Sequence, residues 1–457
     1  MSQSWNFRTA VLLVLSLVFG AQGCRREGQP IEHVILVSVD GLMPASYLEP
    51  DRYGLRVPTL RRMRAEGAYS EGMLSVFPSV TYPAHTTMVT GMRPGRHGIV
   101  TNLAWDPLGR NQGGWRWYAA DIRVPTLWQV AHAQGLRTAM AWWPATVGAQ
   151  ATALLPEYWR ASTVDDAKLL QALSTPGLIE AVEQRFAGFG ERFLAPFKDD
   201  ETLTDVAVHM LETVRPHLLL LHIAQVDHWQ HEAGPFSEPA RQAIETADGQ
   251  IARLIEAAQR AGLWAKTALL VVSDHGFAAT TRQVRPGVWL REKGLLTLDA
   301  EGRVTDWRAV VVANSGSAYV YVRDEQDRAT QAEVLELFRT VAARAENGIA
   351  RLYRREDIVA LGGDPDAFLA LEAAPGYALK GGYTGEVVRT IAVRGEHGYP
   401  PEQEAMRAAL LIYGPAIGAG RIENARMIDL APTIAAWLGL PFAHAEGAPL
   451  ELPKRHP

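Results

Sequence analysis

A chain of 457 residues with 47% apolar and 21% charged side chains sits near the globular average, so it can bury a large core. Its length fits one large α/β domain with insertions better than a single small domain. A formal charge of −5 with no long Lys/Arg run excludes the electrostatic footprint of a polyanion binder, so no nucleic acid polymer is expected as partner, while small phosphate compounds stay open.

In chain order, the first feature is an export signal. Arg8 precedes the apolar run Ala10–Gly20 and then AQGC, which reads as a secretory signal over residues 1–23. The run is well short of the roughly 20 residues needed to span a bilayer. Cys24 is the only cysteine, so no intrachain disulfide forms. Its place at the end of the signal suits a lipoprotein acylated there, and Ala21 and Gly23 also suit ordinary cleavage. The chain from 24 to 457 is therefore expected to be exported, either periplasmic or anchored to a membrane through lipid on Cys24.

Four apolar runs read as parallel strands buried on both faces, where no alternation is expected: His33–Val39, His217–Ala224, Thr267–Ser273 and Ala408–Tyr413. A shorter fifth, TAMAW, ends at Trp142. Between the second and third, Ile244, Ala247, Ile251, Leu254, Ile255 and Ala258 recur at helical spacing and predict a crossover helix. Further helices are predicted through TDVAVHMLETV, QAEVLELFRTVAARA and MIDLAPTIAAWLGL. The alternation gives a doubly wound, mostly parallel α/β sheet. Residues about 145–200, and about 285–385 with the hairpin-like SAYVYVRDEQ, fit the rhythm poorly and are expected as inserted cap subdomains.

Polar residues collect just past the strands, where open α/β sheets bind ligands. Asp40 follows the first run, Asp227 the second, Asp274 and His275 the third. One such aspartate alone is usually a cap or loop residue; three of them with adjoining histidines point to metal ligation. Asp227 and His231 are four apart and share a helix face. His397, in RGEHGY, completes three carboxylates and three imidazoles, enough for two divalent ions. The oxygen and nitrogen mixture suits zinc, and manganese, iron or cobalt also accept it. His217, His222 and His228 are read as structural. In FPSVTYPAHTTMVTG, Pro83 suits the first turn of a helix and Gly91 its stop, so Thr81 and Ser79 fall near a helix N-terminus that favours an anion. Either hydroxyl is a candidate cap, and a nucleophile if a metal favours its alkoxide.

These motifs together resemble the nucleotide pyrophosphatase/phosphodiesterases of the alkaline phosphatase superfamily. The family's nucleophile motif, Thr-aromatic-Pro-Asn-His with a Thr-Gly ending, is similar to Thr81-Tyr82-Pro83-Ala84-His85 and Thr90-Gly91, with Ala84 in place of Asn. VILVSVDGL, SDHGF, GEHGYPPEQEAMRAALLIYGPAI and IDLAPTIAAWLGL follow the family pattern across residues about 33–440. QVDHWQHEAGP follows it least, and His222 stands where a nucleoside-stacking Tyr is common.

The resemblance implies an alkaline phosphatase-like fold and singles out Thr81 as the nucleophile. Asp40, Asp274, His275 and Thr81 would hold one metal ion, and Asp227, His231 and His397 the other. Asn102, after His97-Gly98-Ile99, would donate to a phosphoryl oxygen. Hydrolysis of a phosphodiester or nucleotide pyrophosphate through a phosphothreonine is implied, with Tyr82 and Trp143 as an apolar wall for the substrate. The superfamily also holds phosphomonoesterases, phosphonate hydrolases and phospho-head-group transferases. The monoesterase is disfavoured because AMAWWPATVGA, where threonine-using monoesterases carry a Lys-x-Arg pair, has no cation.

Overall fold

In the strands His33–Val39, Leu218–Ile223 and Thr267–Val272 every side chain is buried, because both faces of the sheet are covered. The first pairs in parallel with the other two, Ile35 lying opposite Leu219 on one side and Leu269 on the other. The computed structural model describes residues 31–111, 114–160, 163–195 and 199–454. The expected signal and Cys24 lie outside the described residues, and no described helix is long and apolar enough to cross a membrane.

These strands are the middle of an eight-stranded sheet. Its order from edge to edge is Gly420–Arg421, Ala68–Tyr69, Leu410–Tyr413, Thr267–Val272, His33–Val39, Leu218–Ile223, Thr138–Trp143, Ala153–Pro156. Side chains alternate across it: Ile35, Val37 and Val39 join one core with Leu219 and Ile251, and Val34 and Leu36 join another with Leu270 and Ile434. The helix Glu238–Arg260 buries the six predicted apolar positions against the first core. Each fully buried Leu or Ile contributes about 1.5–3 kcal/mol, so this stripe, not the exposed ion pairs on the outer face, holds the helix in place.

Two readings of the sequence need correction. The last run, Leu410–Tyr413, is antiparallel to Thr267–Val272. Burial on both faces gives a strand its apolar composition in either direction, so composition could not reveal the reversal. In SAYVYVRDEQ only Ser317–Val322 is a strand, and its hairpin partner lies upstream at Ala309–Ala313. That hairpin belongs to a four-stranded antiparallel sheet with Leu369–Ala373 and Ile349–Arg354, over which the helix Arg328–Ala342 packs. Earlier in the chain, Val164–Leu173, Leu178–Arg185 and Phe189–Leu194 are helices, while Ala153–Pro156 joins the edge of the main sheet.

Candidate active site

The parallel strands all run out at one end of the sheet, and the chain turns sharply there. Gly41 ends the first strand with a φ of +69°, and a Cβ at this position would meet Phe277 at 2.4 Å, so glycine is required. The Gly41 N–H donates to Asp274 Oδ1 (3.1 Å), which fixes that carboxylate and leaves Oδ2 beside His275 Nε2 at 3.1 Å. Asp227 and His231 sit one turn apart on the helix Gln225–Ala233, with Oδ1 and Nε2 3.4 Å apart. That helix is anchored at its start by Asp200, which accepts hydrogen bonds from the Ala224 and Gln225 N–H groups.

Two groups of ligand-type atoms converge. Asp40, Asp274 and His275 form one, and Asp227, His275 and His397 the other, each with its atoms within 4.8 Å of one another. His275 is common to both and stacks on His397 at 3.6 Å. Four buried atoms, Asp40 Oδ1, Asp227 Oδ1, Asp274 Oδ2 and His275 Nε2, have no hydrogen-bond partner among the described residues. Orphaned buried polar atoms cost free energy unless something binds them. The histidines agree with this: His231 Nδ1 contacts Gly395 O (2.8 Å), His397 Nδ1 contacts Ser79 O (3.0 Å) and His275 Nδ1 contacts Gly276 O (3.2 Å). A backbone carbonyl needs Nδ1 to carry the proton, so each Nε2 keeps its lone pair for a ligand. The residues present therefore fit divalent metal ions.

The electrostatics point the same way. Burial, with Asp274 and Asp227 alongside, pushes Asp40 well above the usual carboxylate range. Burial opposes protonation of His275, yet Asp274, Asp40 and Asp227 hold its imidazole up at about 9. Three carboxylates this close together favour a positive charge among them.

Thr81 opens the helix Thr81–Thr90, all of it buried, and Gly91 ends it in the left-handed conformation. Neither Ser79 nor Thr81 caps this helix. Val80 is the cap residue, and the Ser79 hydroxyl donates instead to Tyr399 O at 2.7 Å. Two histidines tie this turn to the ligand cluster. His397 donates to Ser79 O, and His85, 3.8 Å from Asp274, donates to Thr81 O at 2.8 Å. Asn102 Oδ1 accepts the Tyr82 N–H at 2.9 Å, which leaves its amide nitrogen as the outward donor. Because Tyr82 N–H is engaged and Pro83 has none, the helix end offers an anion fewer backbone donors than its sequence suggests.

The structure does not bring Tyr82 and Trp143 to a ligand. Both side chains are fully buried, Tyr82 in a cluster with Ile99 and Trp117 that Trp115 and Tyr158 close over. Neither ring offers a face for stacking. Two residues that sequence reasoning passed over matter more. His222, read as structural, bonds Asp40 Oδ2 through Nε2 (3.1 Å) and Glu157 Oε2 through Nδ1 (2.6 Å), all three buried. This chain fixes the Asp40 carboxylate and directs Oδ1 into the cluster. Glu157 carried no local signal, since it follows an edge strand and meets His222 only across the fold.

Comparisons with known proteins agree with this architecture. Human ectonucleotide pyrophosphatase/phosphodiesterase 5 superposes with a TM-score of 0.66 at 20% identity, over 91% of this chain and 97% of that one. Human ectonucleotide pyrophosphatase/phosphodiesterase family member 1 is 25% identical over 250 residues, 53% of this chain and 23% of that protein. Venom phosphodiesterase of Naja atra is 24% identical over 265 residues, 55% of this chain and 27% of that protein. The matched segment thus spans about a quarter of the length of these curated relatives. The family model for type I phosphodiesterase / nucleotide pyrophosphatase matches residues 34–400, from the first strand through the His397 turn, and the chain belongs to that family.

Proposed function

We propose that the protein is an exported, metal-dependent phosphodiesterase that forms a phosphothreonine at Thr81. The observation that carries this reading is the convergence of unpartnered Asp40, Asp227, Asp274 and His275 atoms beside the helix that begins with Thr81. Asp40, Asp274 and His275 with Thr81 are assigned to one ion, and Asp227, His231 and His397 to the other. When bound, two divalent ions of zinc type supply Lewis acidity that favours the Thr81 alkoxide and offsets charge on the phosphoryl group. Thr81 Oγ1 bonds to phosphorus as the bond to the leaving oxygen breaks, and that oxygen departs as an alcohol or phosphate after taking a proton. Asn102 Nδ2 donates to a nonbridging oxygen, an electrostatic contribution made without reorganisation because the Tyr82 N–H already fixes the amide. Water then displaces Thr81 from phosphorus. Two in-line displacements retain configuration.

The substrate class is a small diester. An inactive variant of murine ectonucleotide pyrophosphatase/phosphodiesterase 5 was solved in complex with AMP, which makes nucleotides natural first probes. Buried Tyr82 cannot stack on a base, so nucleotide recognition here needs contacts other than that ring. One neutral donor at Asn102 handles a singly charged diester better than a monoester, whose extra oxygen calls for a charge-assisted hydrogen bond about twice as strong. The ratio of kcat/KM for a nitrophenyl nucleotide diester over nitrophenyl phosphate should exceed one at equal metal loading. A ratio below one would overturn the diesterase reading.

Export rests on the Ala10–Gly20 run and Cys24. Mass spectrometry of the mature protein should find its N-terminus near Cys24, acylated if the lipid anchor is used. An intact Met1 on cytoplasmic protein refutes both forms.

A further inference from the structure

Beyond the ligand cluster, the segment that carries Asn102 forms one wall of a separate cavity. The space holds about 560 Å³ and lies between residues 95–123 and the antiparallel sheet of the insertion. Thr101 and Leu103, on either side of Asn102, line it, so the cavity abuts the turn that carries the proposed phosphoryl donor. The Arg116 N–H donates to Asn102 O at 2.9 Å, which ties this arginine to the same turn.

Three arginines and three carboxylates line the cavity, and they are unevenly paired. Arg323 pairs with Asp306 at 2.6 Å and Glu325 with Arg355 at 3.1 Å. The Asp364 carboxylate accepts the Tyr321 hydroxyl at 2.6 Å and the Asp366 N–H at 3.0 Å. Arg116 and Arg123 form no close ion pair among the described residues, although the Asp364 carboxylate lies within electrostatic reach of Arg116 and Asp366 lines the same space; the Arg116 Nε is buried with no hydrogen bond. A guanidinium keeps its charge and offers planar donors that match carboxylate, phosphate or sulfonate, so a half-buried one whose Nε lacks a hydrogen bond can take an anion. The remaining wall is aromatic. Trp105, 44% exposed, packs edge-on to Tyr321 at 4.4 Å and Trp307 at 6.0 Å, which leaves an apolar surface beside the cation. Apolar walls with a few directed polar groups are the usual make-up of a small-molecule site.

We propose that this cavity is a substrate subsite for an apolar group bearing an anion, so that the preferred diester carries a second negative charge on one esterifying group, held by Arg116 against Trp105. The choice of substrate rests on the phosphodiesterase reading; the cavity's affinity for such a group does not. Two measurements on the metal-loaded protein separate them. Turnover of nitrophenyl carboxyphenyl phosphate is compared with that of bis(nitrophenyl) phosphate, which shares the leaving group and lacks the second charge. The carboxylated diester should be preferred by about tenfold in kcat/KM, the effect of one charge-assisted hydrogen bond. Arg116→Gln should bring the ratio near one, and Arg116→Lys should restore part of it. An unchanged ratio in Arg116→Gln, or an equal fall for both substrates, overturns the proposal, the latter because it marks Arg116 as structural.

Calorimetric titration of naphthalene-2-sulfonate, an apolar anion with no phosphorus, tests the cavity alone. One molecule should bind per chain, about tenfold more weakly in Arg116→Gln. No binding, or binding indifferent to Arg116, defeats the subsite. Sulfonate binding without cleavage of either diester would instead defeat the phosphodiesterase reading and keep the anion site.

Discussion

Thr81→Ala should lower turnover of a diester by about four to six orders of magnitude, the loss seen when a covalent nucleophile is removed from a working constellation. Metal content should change little, because Asp40, Asp227, His231, Asp274, His275 and His397 remain. Stability should also hold, because Val80, not Thr81, is the cap residue and no side chain caps the helix among the described residues. The informative comparison is Ser79→Ala, which removes a buried hydrogen bond to Tyr399 O. It should cost about 1 kcal/mol of stability and leave chemistry largely in place. Steady-state kinetics with metal analysis of both variants decides between them. A dead Ser79→Ala beside an active Thr81→Ala would show that the nucleophile is misassigned.

Stripping the metal should abolish activity and loosen the fold together. Without an ion, Asp40 Oδ1, Asp227 Oδ1 and Asp274 Oδ2 are buried with no hydrogen-bond partner among the described residues. An ion present at a thousand times its dissociation constant stabilises the native state by about 4 kcal/mol, so chelation should lower the melting temperature by several degrees. Zinc should restore both activity and melting temperature in parallel. Scanning calorimetry and turnover measured through one chelation and readdition cycle test this; full activity in protein shown to be metal-free contradicts it.

Much of the fold was legible because doubly buried strands and an amphipathic crossover helix leave one-dimensional signatures. The stripe from Ile244 to Ala258 and the run from His33 to Val39 are examples. The ligand-type residues were legible for a related reason, since Asp40, Asp274 and His275 directly follow runs that end at the same edge. What stayed hidden depends on meetings between distant segments. His222 looked like a strand histidine until Glu157, 65 positions earlier, proved to lie against it. Tyr82 and Trp143 were misread because a sequence does not say whether a ring faces a cleft or a core. The reversed strand Leu410–Tyr413 is invisible to composition for the same physical reason.

The ligand-type side chains enter the chain at Asp40 and finish at His397, with the strand Thr267–Val272 and its partners zipped side by side between them. No early fragment can assemble the cluster, and the parallel pairings it depends on join segments far apart in sequence, which form slowly. Capture of an ion by this cluster would then come late, once the domain is complete. Its timing would follow synthesis of the His397 turn, which makes metal uptake a clock for completion of the fold.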